Sequence, residues 1–145
     1  MAENNQNYSN HTRRHPLFHF VLVPILIIHL VWSFARFIEE PSPAAAEALL
    51  LSIGLVVMMN LVRIYPLKAQ DRLIRLEEEL RFHRVLPAGL APQASALPVR
   101  FLVALRFASD EELPELVRKV LDGKFEKPRD VKRAIKNWRA DYLRV

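Results

Sequence analysis

The chain has 145 residues, of which 51% are hydrophobic, and 21 Lys and Arg against 16 Asp and Glu give it a formal net charge of +5. It contains no cysteine, which excludes disulfides, thiolate metal sites, cysteine nucleophiles and palmitoylation. The apolar residues are concentrated in the first half and the charged residues in the second half, so the two halves belong to different physical environments.

Two apolar stretches follow a polar N-terminal segment over residues 1–16. The first covers residues 17–38 and the second covers residues 44–65. At about 1.5 Å per residue, each is long enough to cross a hydrocarbon core of about 30 Å. The connection from Glu39 to Pro43 is too short for anything but a tight reversal. Residues 17–65 therefore predict a transmembrane helical hairpin.

The charges that flank the two spans predict their orientation. Arg13 and Arg14 precede the first span, whereas the reversal contains two Glu and no Lys or Arg. Four basic residues lie at the end of the second span or after it: Arg63, Lys68, Arg72 and Arg75. Because cytoplasmic loops are enriched in Lys and Arg, we expect both termini in the cytoplasm and the reversal outside. A cleaved secretory signal ending near residues 44–46 is the alternative, although its apolar core normally spans only roughly 7–15 residues.

Four polar residues of the hairpin are candidates for contacts inside the membrane. Folding the chain about Pro41 places His29 opposite residues 52–54, and we expect its ring to donate a hydrogen bond to Ser52 or to a backbone carbonyl. The same folding places Arg36 near Glu47 at the outer end, where we expect an ion pair. An ionisable residue near the middle of a bilayer is also a functional candidate in its own right, and His29 is the one here.

Asn60 is the fifth polar candidate of the hairpin. Pro24 lacks an amide hydrogen and therefore leaves the carbonyl of Phe20 without its helical donor. We expect the side chain of Asn60 to donate a hydrogen bond to that carbonyl.

Residues 66–86 are predicted to form an amphipathic juxtamembrane helix. An apolar stripe with the spacing of a short coiled coil runs along it: Ala69, Leu73, Leu76 and Leu80. So short a stripe is marginal in water, so it needs either the chain's own tail or a second copy as partner. Pro66 is expected to kink or end the second span.

Residues 87–96 are predicted to be a linker and residues 97–145 a small helical tail. The tail contains three helical patterns, at Pro98 to Phe107, from Ser109 or Leu113 to Leu121, and from Pro128 to Tyr142. No segment alternates like a strand, so the predicted fold is all-α. A tail of this size is near the lower limit for independent stability, and we expect it to dock on the juxtamembrane helix, the membrane or another copy.

Seven residues near the end of the tail form a basic run with one tryptophan: Lys127, Arg129, Lys132, Arg133, Lys136, Trp138 and Arg139. A solvated helix face is the first interpretation, and contact with anionic lipid or a protein partner is the second. Nucleic acid is not expected as a partner, because acidic residues dilute the charge and no recognition module is present.

Signatures of catalysis are missing from the sequence. With three glycines there is no phosphate-cradling loop, and neither a nucleophile elbow nor a zinc-protease helix is present. The acidic runs 77–79 and 110–112 are interpreted as solvated faces and a helix cap. The repeat of His11, His15 and His19 does not predict a metal site, because Pro16 interrupts a helix through all three. We expect no enzyme activity, no cofactor, no metal and no small-molecule substrate.

Four segments of the chain are distinctive: QNYSNHTR at 6–13 with PLFHF at 16–20, QDR at 70–72 with IRLE at 74–77, LRFASDEEL at 105–113, and IKNWRADYLRV at 135–145. In these segments, and over nearly its full length, the chain resembles a family of short bacterial two-span membrane proteins known only as a domain of unknown function. The resemblance implies the hairpin-and-tail architecture and the bacterial cytoplasmic membrane, and it implies no activity.

The function predicted from these patterns is that of a non-enzymatic, membrane-anchored interaction or scaffold protein. Its expected partners are the lipid bilayer and either further copies of itself or an unidentified protein. The alternative is a small oligomeric membrane protein that handles ions, protons or metals through several copies of His29.

Overall fold

The computed structural model of the protein describes residues 6–10 and 15–142, and within these ranges the fold is all-α, as predicted. The elements are a π-helical turn Leu17–Leu22, α1 Val23–Glu39, α2 Pro43–Val85, α3 Ala91–Ser95, α4 Val99–Leu105, α5 Leu113–Leu121 and α6 Pro128–Ala134. The chain divides into two compact units. Arg13–Leu67 form the hairpin unit, and Met1–Thr12 with Lys68–Val145 form the helical domain.

The hairpin unit consists of α1 and the first part of α2, joined by a short reversal after Glu39. Ser42 ends the reversal and caps α2, because its hydroxyl accepts the amide hydrogen of Ala45 at 3.2 Å. Pro43 then takes the first helical position, where its missing amide hydrogen costs nothing. The two helices lie side by side where Ser33 and Ser52 meet, since both residues are buried and their hydroxyl oxygens are 2.9 Å apart.

Pro24 accounts for the π-helical turn at the start of the hairpin. A proline ring crowds the carbonyl four residues earlier and removes one helical hydrogen bond. Immediately before Pro24, the helical turn is widened to a π-helical turn. Its hydrogen bonds span five residues and not four, so the amide of Val23 donates to the carbonyl of Phe18. The wider turn accommodates the proline without ending the helix.

The outward-facing side chains of the hairpin unit are large and apolar. Trp32 on α1 and Leu50 on α2 each leave more than two thirds of their surface exposed. In the most apolar window of each helix, only 6% of the residues are buried within the protein. By length and composition, Leu17–Glu39 and Pro43–Val85 can each cross a membrane.

The second long helix does not end at the predicted boundary. The α-helix α2 continues through Pro66 to Val85, so residues 66–85 are its C-terminal part and not a separate juxtamembrane helix. A proline costs a helix about 3 kcal/mol. The burial of Ile74, Phe82 and Leu86 beyond the proline offsets this cost.

The core of the helical domain lies between the C-terminal part of α2 and helices α3 to α6. Its largest fully buried apolar side chains come from four of these helices and one loop: Phe82, Leu102, Leu105, Phe107, Leu113, Val117 and Val131. The segment 87–96 belongs to this core, because it contains α3 with Ala91 and Ala94 buried. The interpretation of this segment as a linker is therefore wrong, and its small residues serve close helix packing.

The helical domain uses a different face of α2 from the one that the apolar stripe predicts. Ile74 and Phe82 are buried, whereas Leu73, Leu76 and Leu80 are 56%, 55% and 67% exposed. Docking of the tail on α2 is confirmed, but docking on the stripe is wrong. The helix carries two apolar faces, and the spacing of leucines identified only the one that the domain leaves exposed.

The C-terminal helix is shorter than predicted. It ends at Ala134, because Ile135 adopts an extended conformation, and the chain then runs alongside the loop that follows α4. Trp138 pairs with Ala108 through an antiparallel backbone bridge. Of the two predicted starts for the preceding helix, the structure selects Leu113, with Pro114 in its first turn.

Residues 6–10 are part of the helical domain as well. The side-chain amide of Gln6 is buried, and its oxygen accepts the backbone amide hydrogen of Asp141 at 2.8 Å. Tyr8 lies beside Arg133, whose guanidinium is 5.4 Å from the centre of the tyrosine ring. The polar N-terminal segment thus contributes contacts to the folded domain.

The burial of Leu86 gives a direct test of this core. Leu86→Ala should lower the free energy of unfolding of the domain by about 2–5 kcal/mol, because it opens a cavity at the end of α2. Leu121→Ala, the same change at an exposed site, should cost about 0.5 kcal/mol or less. Denaturant titration in a Trp32→Phe background, where Trp138 is the only tryptophan, measures both. Equal losses would contradict the described core.

Candidate functional site

The buried polar contact of the hairpin joins Ser52 to Ser33. The hydroxyl of Ser52 also lies 2.7 Å from the carbonyl oxygen of Ala48, one turn earlier on its own helix. The predicted bond between His29 and Ser52 is therefore wrong, since Ser33, one helical turn after His29, occupies that place. His29 is half-buried and has no hydrogen bond within the described part of the chain.

The other two predicted contacts of the hairpin are also replaced by local ones. Arg36 pairs with Glu40, four residues on, at 3.7 Å, and not with Glu47. Both side chains of this pair are exposed, so it contributes little stability. The side-chain amide of Asn60 donates to the carbonyl of Val56 at 2.8 Å within α2, and not to Phe20. Contacts within one segment do not depend on the register between the two helices. For this reason they form in place of the predicted contacts between α1 and α2.

A buried charge cluster in the helical domain is the most elaborate polar arrangement in the described residues. It is centred on Arg81, whose Nε and Nη2 atoms each lie 2.7 Å from Oδ1 of Asp110. Nη2 also donates to the carbonyl of Ala108 at 2.7 Å, and Nη1 donates to Glu78 at 3.2 Å. Arg139 contacts the second oxygen of Glu78 at 3.5 Å. The planar guanidinium with its five donors suits such a multiple contact.

The sequence did not predict this cluster, because the run 77–79 was interpreted as a solvated face and the run 110–112 as a helix cap. Glu78 is in fact buried together with Arg81. The signal that could have found it is the spacing of Ile74, Glu78 and Phe82, which lie four residues apart on one helix face. A carboxylate between two apolar residues of a buried face requires a cationic partner nearby.

The pKa values of the two carboxylates of the cluster are shifted in opposite directions. Burial raises the pKa of Glu78, and the nearby Arg81 and Arg139 partly offset that rise. The hydrogen bond from Arg81 lowers the pKa of Asp110, which stands at the edge of the cluster with its side chain half exposed. Both carboxylates hold Arg81 in place, so the arrangement is a structural tie between α2 and the loop before α5.

Glu112 fastens the C-terminal segment to the same loop. One of its carboxylate oxygens accepts the backbone amides of Ser109 at 3.5 Å and Asn137 at 3.2 Å, and the other accepts that of Lys136 at 3.1 Å. The contact with Ser109 is the one expected of a capping box. The contacts with residues 136 and 137 hold the extended C-terminal segment against the start of α5.

A cleft of about 650 Å³ lies in the helical domain beside α2. Leu73 and Ile74 form its apolar wall. Across it, Arg106 pairs with Asp141 at 3.4 Å, and Arg139 reaches Glu78. Four of the ionic groups of the cleft are therefore engaged in two ion pairs.

No group of three or more His, Asp or Glu in residues 6–10 and 15–142 is placed to hold a metal ion. His19 contacts the backbone carbonyl of His15 at 3.0 Å. His11, the first member of the histidine repeat, lies outside the described residues.

The seven residues of the basic run do not share one helix face. Trp138 packs on Phe107, with 5.1 Å between ring centres, and the ammonium of Lys132 lies 5.3 Å from the centre of the same phenylalanine ring. Arg133 contacts Tyr8, and Arg139 contacts Glu78. Three members are exposed on and beside α6, and of these Arg129 lies 3.8 Å from Asp130: Lys127, Arg129 and Lys136.

The bond between Arg81 and Asp110 predicts a pH-dependent contribution to stability. Asp110→Asn should lower the free energy of unfolding at pH 7 by about 1–2 kcal/mol, since it removes a charged hydrogen bond that is half exposed. Because the folded-state pKa is lowered, this contribution is complete above the ordinary value of 3.8 and disappears as the pH falls through the folded-state pKa. Denaturant titrations at several pH values measure it. Asp122→Asn, at an exposed pair, is the control, and equal losses for both would contradict the cluster.

Comparison with known proteins places the chain in one family. No curated protein and no solved structure matches it significantly. One family model, described as a family of unknown function and designated DUF6526, matches residues 1–145. Since the match extends over the whole chain, the protein belongs to this family.

Proposed function

We propose that the protein is a non-enzymatic, membrane-anchored interaction protein of the bacterial cytoplasmic membrane. The observation that carries the proposal is the pair of long apolar helices whose outward side chains find no protein partner. The core helix of a soluble domain would be mostly buried. A helix pair that instead exposes Trp32 and Leu50 requires an apolar solvent, and a lipid bilayer provides one.

The flanking charges support a topology with both ends of the chain in the cytoplasm. Basic residues flank the hairpin on the side of its free ends, at Arg63 and Lys68 among others. The one basic residue near the reversal, Arg36, is paired with Glu40. In this topology the helical domain follows the hairpin on the cytoplasmic side.

The interaction role is supported by the way in which the helical domain uses its charged residues. Glu78, Arg81, Asp110 and Glu112 are all engaged in contacts that hold the domain together. The groups that remain available to another molecule are an exposed apolar stripe on α2 and scattered cations on and beside α6. Such surfaces are suited to docking.

The topology can be tested with single cysteines, because the chain has none of its own. In spheroplasts, Pro41→Cys at the reversal should react with a membrane-impermeant maleimide. Gln93→Cys, exposed on α3, should react only after permeabilisation. The protein should also stay in the pellet after alkaline carbonate extraction. Labelling of residue 41 only after permeabilisation, or release by carbonate, would contradict the proposal.

The alternative function, ion or proton handling by oligomerised hairpins, depends on His29. His29 is half-buried on α1, and an ionisable residue within a membrane span is a functional candidate by default, which keeps this alternative in view.

Complementation of a deletion strain separates the two functions. Under the proposed function, His29→Leu should restore growth as well as the parent does. Arg81→Ala should fail, because the buried carboxylate of Glu78 loses its closest partner. If His29→Leu fails while its level in the membrane is normal, the alternative is correct.

A further inference from the structure

The C-terminal part of α2 carries an unpartnered apolar face outside the helical domain. Leu76 and Leu80 lie on the side of the helix away from Ile74 and Phe82, whereas Leu73 lies at the edge of this face beside the cleft. Each of the three leucines leaves more than half of its surface exposed. Three leucines in a continuous row are not the scattered exposure that soluble surfaces normally show. The row therefore marks a docking surface.

The spacing of the row fits one kind of occupant. Successive intervals of four, three and four residues from Ala69 to Leu80 are the d-a-d-a positions of a heptad repeat. We propose that a second copy of this chain covers the row, and that the two α2 helices form a short parallel coiled coil. This inference rests on the proposed function and names the partner that it requires. The two helices of the coiled coil are parallel because both copies leave the membrane on the same side.

The charges beside the row support pairing between identical helices. In this register Arg72 and Glu79 are g positions, and Glu77 and Arg84 are e positions. In a parallel pair, a g residue meets the e residue five positions further along the other helix. Arg72 would meet the partner's Glu77, and Glu79 would meet the partner's Arg84. Both contacts join opposite charges, and two-fold symmetry produces each of them twice.

The structure of the single chain leaves these charges available for exchange. Arg72, Glu77 and Arg84 are exposed. Glu79 pairs with Arg75 at 3.1 Å on the same helix, and this exposed pair costs little to rearrange. The opposite face of α2 already contributes to the domain core, so a second copy can approach without displacing it.

Anchoring of both copies in one membrane compensates for the low stability of so short a row. A seam of about two heptads is marginal between helices that meet in free solution. Confinement of both copies to one membrane raises their effective concentration, which favours association without any new contact. The coiled coil is thus expected in membranes and weakened in dilute detergent.

Disulfide formation in membranes tests the proposal directly. Leu73→Cys, Leu76→Cys and Leu80→Cys, each in an otherwise cysteine-free chain, should all give several-fold more covalent dimer under mild oxidation than Arg118→Cys, which is exposed on α5. Residues of the same number face each other in a parallel seam, within the Cα separation of about 4.4–6.8 Å that a disulfide requires. In the Trp32→Phe background, the fluorescence of Trp138 confirms that each variant is folded.

Two results would overturn the proposal. If the yield of covalent dimer for all three variants equals that of the Arg118→Cys control, the row does not contact a second copy of this chain. Disulfides only between differently numbered cysteines in mixed samples would show an antiparallel pair. Neither result bears on the maleimide topology test, so failure of the coiled coil and failure of the membrane hairpin are distinguishable.

Charge exchange tests the register. In the Leu76→Cys background, Glu77→Arg should reduce covalent dimer several-fold, because it places like charges opposite Arg72. The double change Arg72→Glu with Glu77→Arg should restore it. A reduction that the double change does not reverse would contradict the proposed pairing of these residues.

Discussion

The rest of this structure depends on the apolar outward faces of the hairpin, which the described part of the chain leaves exposed. The two helices touch each other through small residues at Ser33 and Ser52, and they bury little else. A backbone that satisfies its own hydrogen bonds, with apolar side chains on its outer surface, matches the requirements of a bilayer. Even the proline near its start is accommodated without loss of the helix, through a widened turn.

The second helix joins this anchor to a different kind of structure. Beyond Leu67 the same helix contributes Phe82 to the core of the helical domain and holds the buried Arg81, and the buried Leu86 follows directly after its end. Through Arg81 and Glu112, the loop before α5 and the extended C-terminal segment are tied together. Arg81 thus acts as a structural centre, because it contacts Glu78 on its own helix and both Ala108 and Asp110 in the loop before α5.

The features that were predictable from the sequence are those that depend on local pattern. Helix length, the apolar character of residues 17–65 and the tight reversal follow directly from hydrophobicity and spacing. The register of the hairpin was not predictable, because it depends on the geometry of the reversal, and an offset of one turn exchanges Ser33 for His29. The burial of Glu78 was missed for a related reason, since its partner Arg139 lies 61 residues away. The end of α6 at Ala134 depends on the tertiary contact of Trp138 with Ala108, which no helical period reveals.

The most direct test of the central claim is the accessibility of single spin labels in reconstituted bilayers. A label at Ile28, which is exposed on α1, should collide readily with dissolved oxygen and scarcely with a water-soluble nickel complex. A label at Leu121 in the helical domain should show the reverse preference. Equal access of the nickel complex to both positions would show that the hairpin faces water, and the account would then be wrong.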